Sequence, residues 1–98
     1  MSSLAESQQR ADAITELIKA IAHPVRLRII SLLCQSDQRV IFMASRLEKT
    51  PAAVSQQLRI LRMSGLVSTE RRGGEVYYTL ARPQLRQLLA CLDGCQAA

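Results

Sequence analysis

Val54, Leu58 and Leu61 recur at i, i+4 and i+7, while the residues between them are small or polar. That spacing predicts one amphipathic helix whose apolar stripe needs a core. Its ends are marked. Thr50 can cap the free amides at the front, and Pro51 suits the first helical position. Ser64-Gly65 supplies the exit, because glycine enters the left-handed cap conformation without a Cβ penalty. The other face carries Ala52, Ala53, Ser55, Gln56 and Arg59, with Gln57 and Arg62 at its edges. Amide and guanidinium groups can pair with base edges, and alanine lets a helix approach closely. An ordinary solvated helix face has the same composition, so this stretch alone leaves both readings open.

Upstream, residues 1–6 are expected to fray. A helix through about residue 21 follows from Ile14, Leu17, Ile18 and Ile21. His23-Pro24 breaks it, and Pro24 can open a second helix over 24–35. Val25, Leu27, Ile29, Ile30, Leu32 and Leu33 make that helix apolar over most of its circumference, so it is expected at the centre. Gln35–Gln38 is a polar turn. A short helix over 41–48 is predicted next, with Ile41, Ala44 and Leu47 inward. Glu48-Lys49-Thr50 then leads tightly into the capped helix, which is the helix-turn-helix order.

After Gly65 the period changes from 3.6 to 2. Leu66–Arg71 and Glu75–Leu80 read as strands around an Arg72-Gly73-Gly74 turn. A two-stranded hairpin is not stable alone and must lean on the helices. A basic hairpin after a groove-reading helix is a wing. The last helix is predicted over 83–93, with Leu85, Leu88, Leu89 and Leu92 as its stripe and Gly94 as its end. The fold class is therefore mainly α with a small β-hairpin: a winged helix-turn-helix of five helices and a two-stranded wing. Residues 1–98 form a single domain, since the length leaves no room for a second. The first and last helices carry more apolar surface than this small core needs. A two-fold homodimer through them would set two groove-reading helices about 34 Å apart, one duplex turn.

Charge sharpens the partner. The chain carries a formal +5, and arginine supplies most of its 13 basic residues. A positive balance favours a polyanion, and arginine's planar fork suits phosphate and guanine. With only Phe42, Tyr77 and Tyr78 as aromatics, a stacking platform for single strands is excluded. The expected partner is double-stranded DNA. An interaction module that holds another protein on the same face is the alternative of a different class. An enzyme is not expected: there is one histidine and no nucleophile–base pair or phosphate loop. No apolar run reaches membrane-span length, and Met1–Arg10 has no leader pattern. Three cysteines make no disulfide framework, so a reducing cytoplasm is the expected location.

Three stretches resemble the ArsR/SmtB winged-helix repressors of bacteria: Ala22-His-Pro-Val-Arg-Leu-Arg-Ile-Ile30, Val54-Ser-Gln-Gln-Leu-Arg-Ile-Leu-Arg-Met-Ser-Gly-Leu-Val67 and Val76-Tyr-Tyr-Thr-Leu80. The likeness covers about residues 10–93. It implies a cytoplasmic homodimer that represses transcription and leaves a palindromic operator when an inducer binds. It implies base or groove contacts from Ser55 and Gln56, with Ala52 against the duplex. Thr50, Gln57 and Arg59 would be neighbouring or phosphate contacts, and Arg71 and Arg72 wing contacts. His23 would be a structural helix-entry residue.

The sensors depart from the family. Val40–Ala44 holds no cysteine where the arsenic-sensing members carry theirs. The last helix has no histidine and only Asp93, so the zinc-sensing set is absent too. Cys34, with Cys91 and Cys95, resembles instead the thiol-switch branch that senses sulfide, persulfide or oxidants. Cys34 lies about one turn late for that match and Cys95 slightly early; an antiparallel crossing of the two helices would let these displacements compensate. Cys91 and Cys95 fall one turn apart, with Cβ atoms about 5–6 Å from each other, against the roughly 3.5–4.5 Å of a relaxed disulfide. Direct bonding therefore requires the helix to fray at Gly94. Arsenite or cadmium on Cys91 and Cys95, assisted by Cys34 or Asp93, is an alternative inducer, and a member with no cysteine sensor is a third reading. Arg82 and Arg86 lie too far along the helix to acidify the last two thiols. No resident cofactor is expected.

Overall fold

The structure is a computed structural model and describes residues 3–95. Five helices and one hairpin follow in order: α1 (Gln8–Ile21), α2 (Pro24–Gln35), α3 (Val40–Leu47), α4 (Pro51–Met63), β1 (Val67–Arg72), β2 (Glu75–Leu80) and α5 (Leu85–Gly94). This is the winged helix-turn-helix that the periodicity predicts. Where fraying was expected, residues 3–6 take up local structure. Leu4–Glu6 form a 3₁₀ turn, and Ser3 Oγ donates to Glu6 Oε1 at 2.9 Å. Met1, Ser2 and the tail beyond Cys95 lie outside the described residues.

Side chains and backbone close the helix ends as the sequence implies. His23 Nδ1 accepts from the Val25 amide at 3.2 Å, so His23 caps α2 and is structural. Thr50 Oγ1 accepts from the Ala53 amide at 3.1 Å. At the far end of α4, Leu66 N–H reaches Leu61 O and Gly65 N–H reaches Arg62 O, both at 3.0 Å. With Gly65 at φ +76° this is a Schellman close, and Leu61 packs beneath it with Leu66.

α2 is the central helix: α1, α3, α4, α5 and β2 all touch it. Ile29, Ile30 and Leu33 are fully buried, and they meet Val54, Leu58 and Leu61 of α4 in one core. The inward set of α3 differs from expectation. Met43, Ala44 and Leu47 are buried, whereas Ile41 is 62% exposed. Positions three apart advance about 300°, so an Ile41-Ala44-Leu47 stripe drifts around the helix. The core takes the side centred on Met43 and Leu47, and Ile41 is left outside.

β1 and β2 pair antiparallel from Val67↔Leu80 to Arg72↔Glu75. Gly73 and Gly74, at φ +56° and +84°, form the two-residue turn whose twist matches the strands. The segment before α3 is more than a turn. Gln38 N–H donates to Tyr78 O at 3.1 Å, and Tyr78 N–H to Gln38 O at 2.8 Å, so Gln38 adds a one-residue third rung beside β2. α5 begins at Leu85, two residues later than expected, after a 3₁₀-type opening over Arg82–Gln84. Gly94 does not end it: the glycine is the last helical residue and Cys95 is the cap.

Candidate nucleic-acid interface

α4 is seated by Val54, Leu58 and Leu61, each with no exposed area. With that stripe fixed, Ala52, Ser55, Gln56, Arg59 and Arg62 point to solvent. Among the described residues no hydrogen bond or ion pair engages the side chains of Ser55, Gln56 or Arg59. They form a row of unsatisfied donors and acceptors along one face.

Two expected contacts have other employment. Thr50 Oγ1 accepts the Ala53 amide as a cap, with its O–H left to donate. Gln57 is half-buried, and its Oε1 accepts from Arg26 Nη1 at 3.0 Å. Arg26 Nε also donates to the Ala20 carbonyl at 2.6 Å. One guanidinium thus ties the end of α1 to the middle of α4, and Gln57 is part of that brace.

The two wing arginines diverge. Arg71 is exposed, pairs across the hairpin with Val76, and engages no partner among the described residues. Arg72 Nη2 lies 2.6 Å from Asp37 Oδ2 and 2.9 Å from Glu70 Oε2, with its guanidinium 4.8 Å from the centre of the Tyr77 ring. Hydrogen bonds to Glu70 and then Asp37 hold the guanidinium above its ordinary range, and the bond from Arg72 holds the Glu70 carboxyl below its own. Beside it, Arg39 pairs with Glu75 at 3.0 Å and stacks 4.7 Å over Phe42. Sequence reading missed Arg26, Asp37, Arg39, Glu70 and Glu75. The one signal was for the two glutamates: period 2 puts Glu70 and Arg72 on one face of β1, and the two-residue turn sets Glu75 opposite Arg72.

All three cysteines are free; Cys34 is half-buried, and Cys91 and Cys95 are exposed. α2 and α5 cross antiparallel. Arg86, in the first turn of α5, donates from Nε to the Cys34 carbonyl at 3.1 Å. At the other end Leu92 and Asp93 share a cleft with Leu27, Arg28 and Ser31. At 1.5 Å per residue, Cys91 and Cys95 lie roughly 7 and 13 Å beyond Arg86 along the axis. The Cys34 carbonyl thus lies beside the first turn of α5, and Cys91 and Cys95 follow farther along that helix. No three His, Cys, Asp or Glu side chains gather as a cation site among the described residues. Burial raises the Cys34 pKa, and the charge of Arg86 offsets part of that rise.

A capped helix with an open polar face, preceded by a tight helix turn and followed by a hairpin, defines a winged helix-turn-helix regulator. Residues 23–69 match the family described as bacterial regulatory protein, arsR family. The transcriptional activator HlyU of Vibrio cholerae is 34% identical over 97 residues, covering 97% of this chain and 90% of that protein. The crystal structure of the transcriptional repressor BigR from Xylella fastidiosa superposes with TM-score 0.88 at 29% identity, over 99% of each chain. The solution structure of the homodimeric winged helix-turn-helix DNA-binding domain Mb0332 from Mycobacterium bovis gives TM-score 0.77 at 27% identity, over 97% of this chain and 86% of that one. The chain belongs to the arsR family of bacterial regulatory proteins. Among the described residues no helix is long and apolar enough to cross a membrane.

Proposed function

We propose that the chain is a transcriptional repressor that binds a palindromic operator as a homodimer. The observation that carries this reading is the unengaged face of α4, with Ser55, Gln56 and Arg59 held outward by a fully buried stripe. The dimer half rests on apolar surface left uncovered on the terminal helices. Ile14 is 39%, Ile18 54% and Leu92 43% exposed. A groove of about 350 Å³ between α1 and the start of α5 is lined by Ile14, Leu17, Ile18, Leu85 and Leu88, with Arg82 and Gln84 at its polar edge. A second copy packing its own α1 and α5 there would bury it and pair the two recognition helices by a two-fold. Some relatives are named repressors and HlyU an activator.

Release is assigned to thiol chemistry at Cys91 and Cys95, exposed one turn apart on the helix that the dimer uses. Reactive sulfur or an oxidant is the first inducer class, and arsenite or cadmium bridging the two sulfurs the second.

The test is selection of duplexes from a random pool, then anisotropy titration over a salt series. A palindromic consensus and a two-subunit stoichiometry are expected. No enrichment of any duplex would sink the reading, and capture of a protein on the Ser55–Arg59 face would replace it with an interaction module. Loss of affinity after persulfide, oxidant, arsenite or cadmium, absent from a Cys91→Ser/Cys95→Ser variant, would establish the release step.

A further inference from the structure

We propose that Arg72 is a positioning residue that fixes the wing to the turn leading into α3, and that the wing's contact with the duplex falls to Arg71 on the opposite strand face. The proposal rests on the DNA-binding reading above and assigns the parts of its wing.

Consecutive residues of a strand point to opposite sides. Arg72 and Glu70 share a face, and their cross-strand partners Glu75 and Tyr77 share it too. Asp37 reaches that face because Gln38 is locked to Tyr78 by two backbone bonds, which directs its neighbours Asp37 and Arg39 the same way. The result is a strip in which Arg72 joins Asp37 to Glu70 and Arg39 joins Glu75. The strip ties both strands to residues 37–39, which run directly into α3 and so refer the wing's angle to the helix-turn-helix.

The same strip is a poor seat for phosphate. Asp37, Glu70 and Arg72 sum to a formal charge of about −1, and adding Arg39 and Glu75 leaves the sum unchanged. A phosphate approaching Arg72 meets two carboxylates already holding the same nitrogen. Arg71, one residue earlier, faces away from them and has no ion pair among the described residues.

The two roles predict opposite signs for one substitution. Asp37→Asn removes a negative charge. If Arg72 held phosphate, this variant would tighten binding to the selected duplex; as a positioning partner its loss weakens binding about two- to fivefold, the size of an exposed ion pair. Arg72→Gln weakens binding comparably with the salt slope unchanged, whereas Arg71→Gln lowers the slope by roughly 0.9 for each phosphate left without its cation. The double exchange Asp37→Arg/Arg72→Asp restores part of the affinity.

Hydrogen exchange on the free full chain supplies a readout that needs no DNA. The Gln38 and Tyr78 amides should exchange several-fold faster in Arg72→Gln and unchanged in Arg71→Gln. Unchanged exchange in Arg72→Gln, tighter binding in Asp37→Asn, or a reduced salt slope in Arg72→Gln each overturns the assignment. A wild-type chain that selects no duplex defeats the proposed function, while the exchange result still decides whether Arg72 holds the wing.

Discussion

Along α4 the side chains of Ser55, Gln56 and Arg59 make no hydrogen bond or ion pair among the described residues, whereas on the outer face of the hairpin Arg72 is held by two carboxylates and an aromatic ring. Both regions are arginine-bearing and both follow from local period. The difference lies in what surrounds the charge. A helix face with alanine and amides offers its arginine no carboxylate, so the guanidinium stays free for an outside anion. A strand face where Glu70 and the incoming Asp37 flank Arg72 neutralises that arginine and uses it as a fastener. Charge counted along a chain therefore locates a partner only after internal pairs are subtracted.

The largest effect expected from breaking this contrast lies beneath the open face. Leu58→Ala removes a fully buried side chain that seats α4 and should cost about 2–5 kcal/mol in urea denaturation. An unchanged midpoint would mean α4 is not held by that stripe. Gln56→Ala should leave stability alone and relax sequence discrimination by about 1–3 kcal/mol, read by competition between selected and scrambled duplexes. Arg59→Ala should weaken binding to both duplexes alike and flatten the salt slope by about 0.9 for each phosphate it no longer neutralises. Thr50→Ala tests the division of labour at the front of α4: a loss of about 1 kcal/mol of folding stability with duplex affinity unchanged marks a cap alone, and a loss of affinity as well marks a contact. The smallest effect concerns Cys34. Its pKa is raised by burial, so less of it is thiolate at a given pH, and alkylation at about pH 7–8 should lag that of exposed Cys91 and Cys95. Equal labelling rates would show that α2 and α5 open freely.

Where an element's ends and faces are set by neighbours in sequence, they are legible from the residues alone. Thr50, Pro51 and Gly65 mark α4, and Gly73-Gly74 marks the turn of the hairpin. His23 is read from the residues only as part of a helix break; its helix-entry role comes from the family resemblance and its cap bond from the structure. What depends on the third dimension is not legible in that way. Ile41 and Met43 are both apolar on one short helix, and only the position of α2 and α4 decides which goes inside. Arg71 and Arg72 look alike until Asp37 arrives from another segment. Which turn of α5 meets the Cys34 carbonyl follows from an antiparallel crossing that no spacing within one helix encodes.

Arg26 has a consequence for movement. Its guanidinium grips the Ala20 carbonyl with one nitrogen and the Gln57 amide with another. If two subunits are joined through α1, sliding that helix along the seam must break one of these two hydrogen bonds or shift α4 with it. The distance between the two reading heads is then geared to the seam between subunits, and a strain at the seam becomes a misfit to the pitch of the duplex.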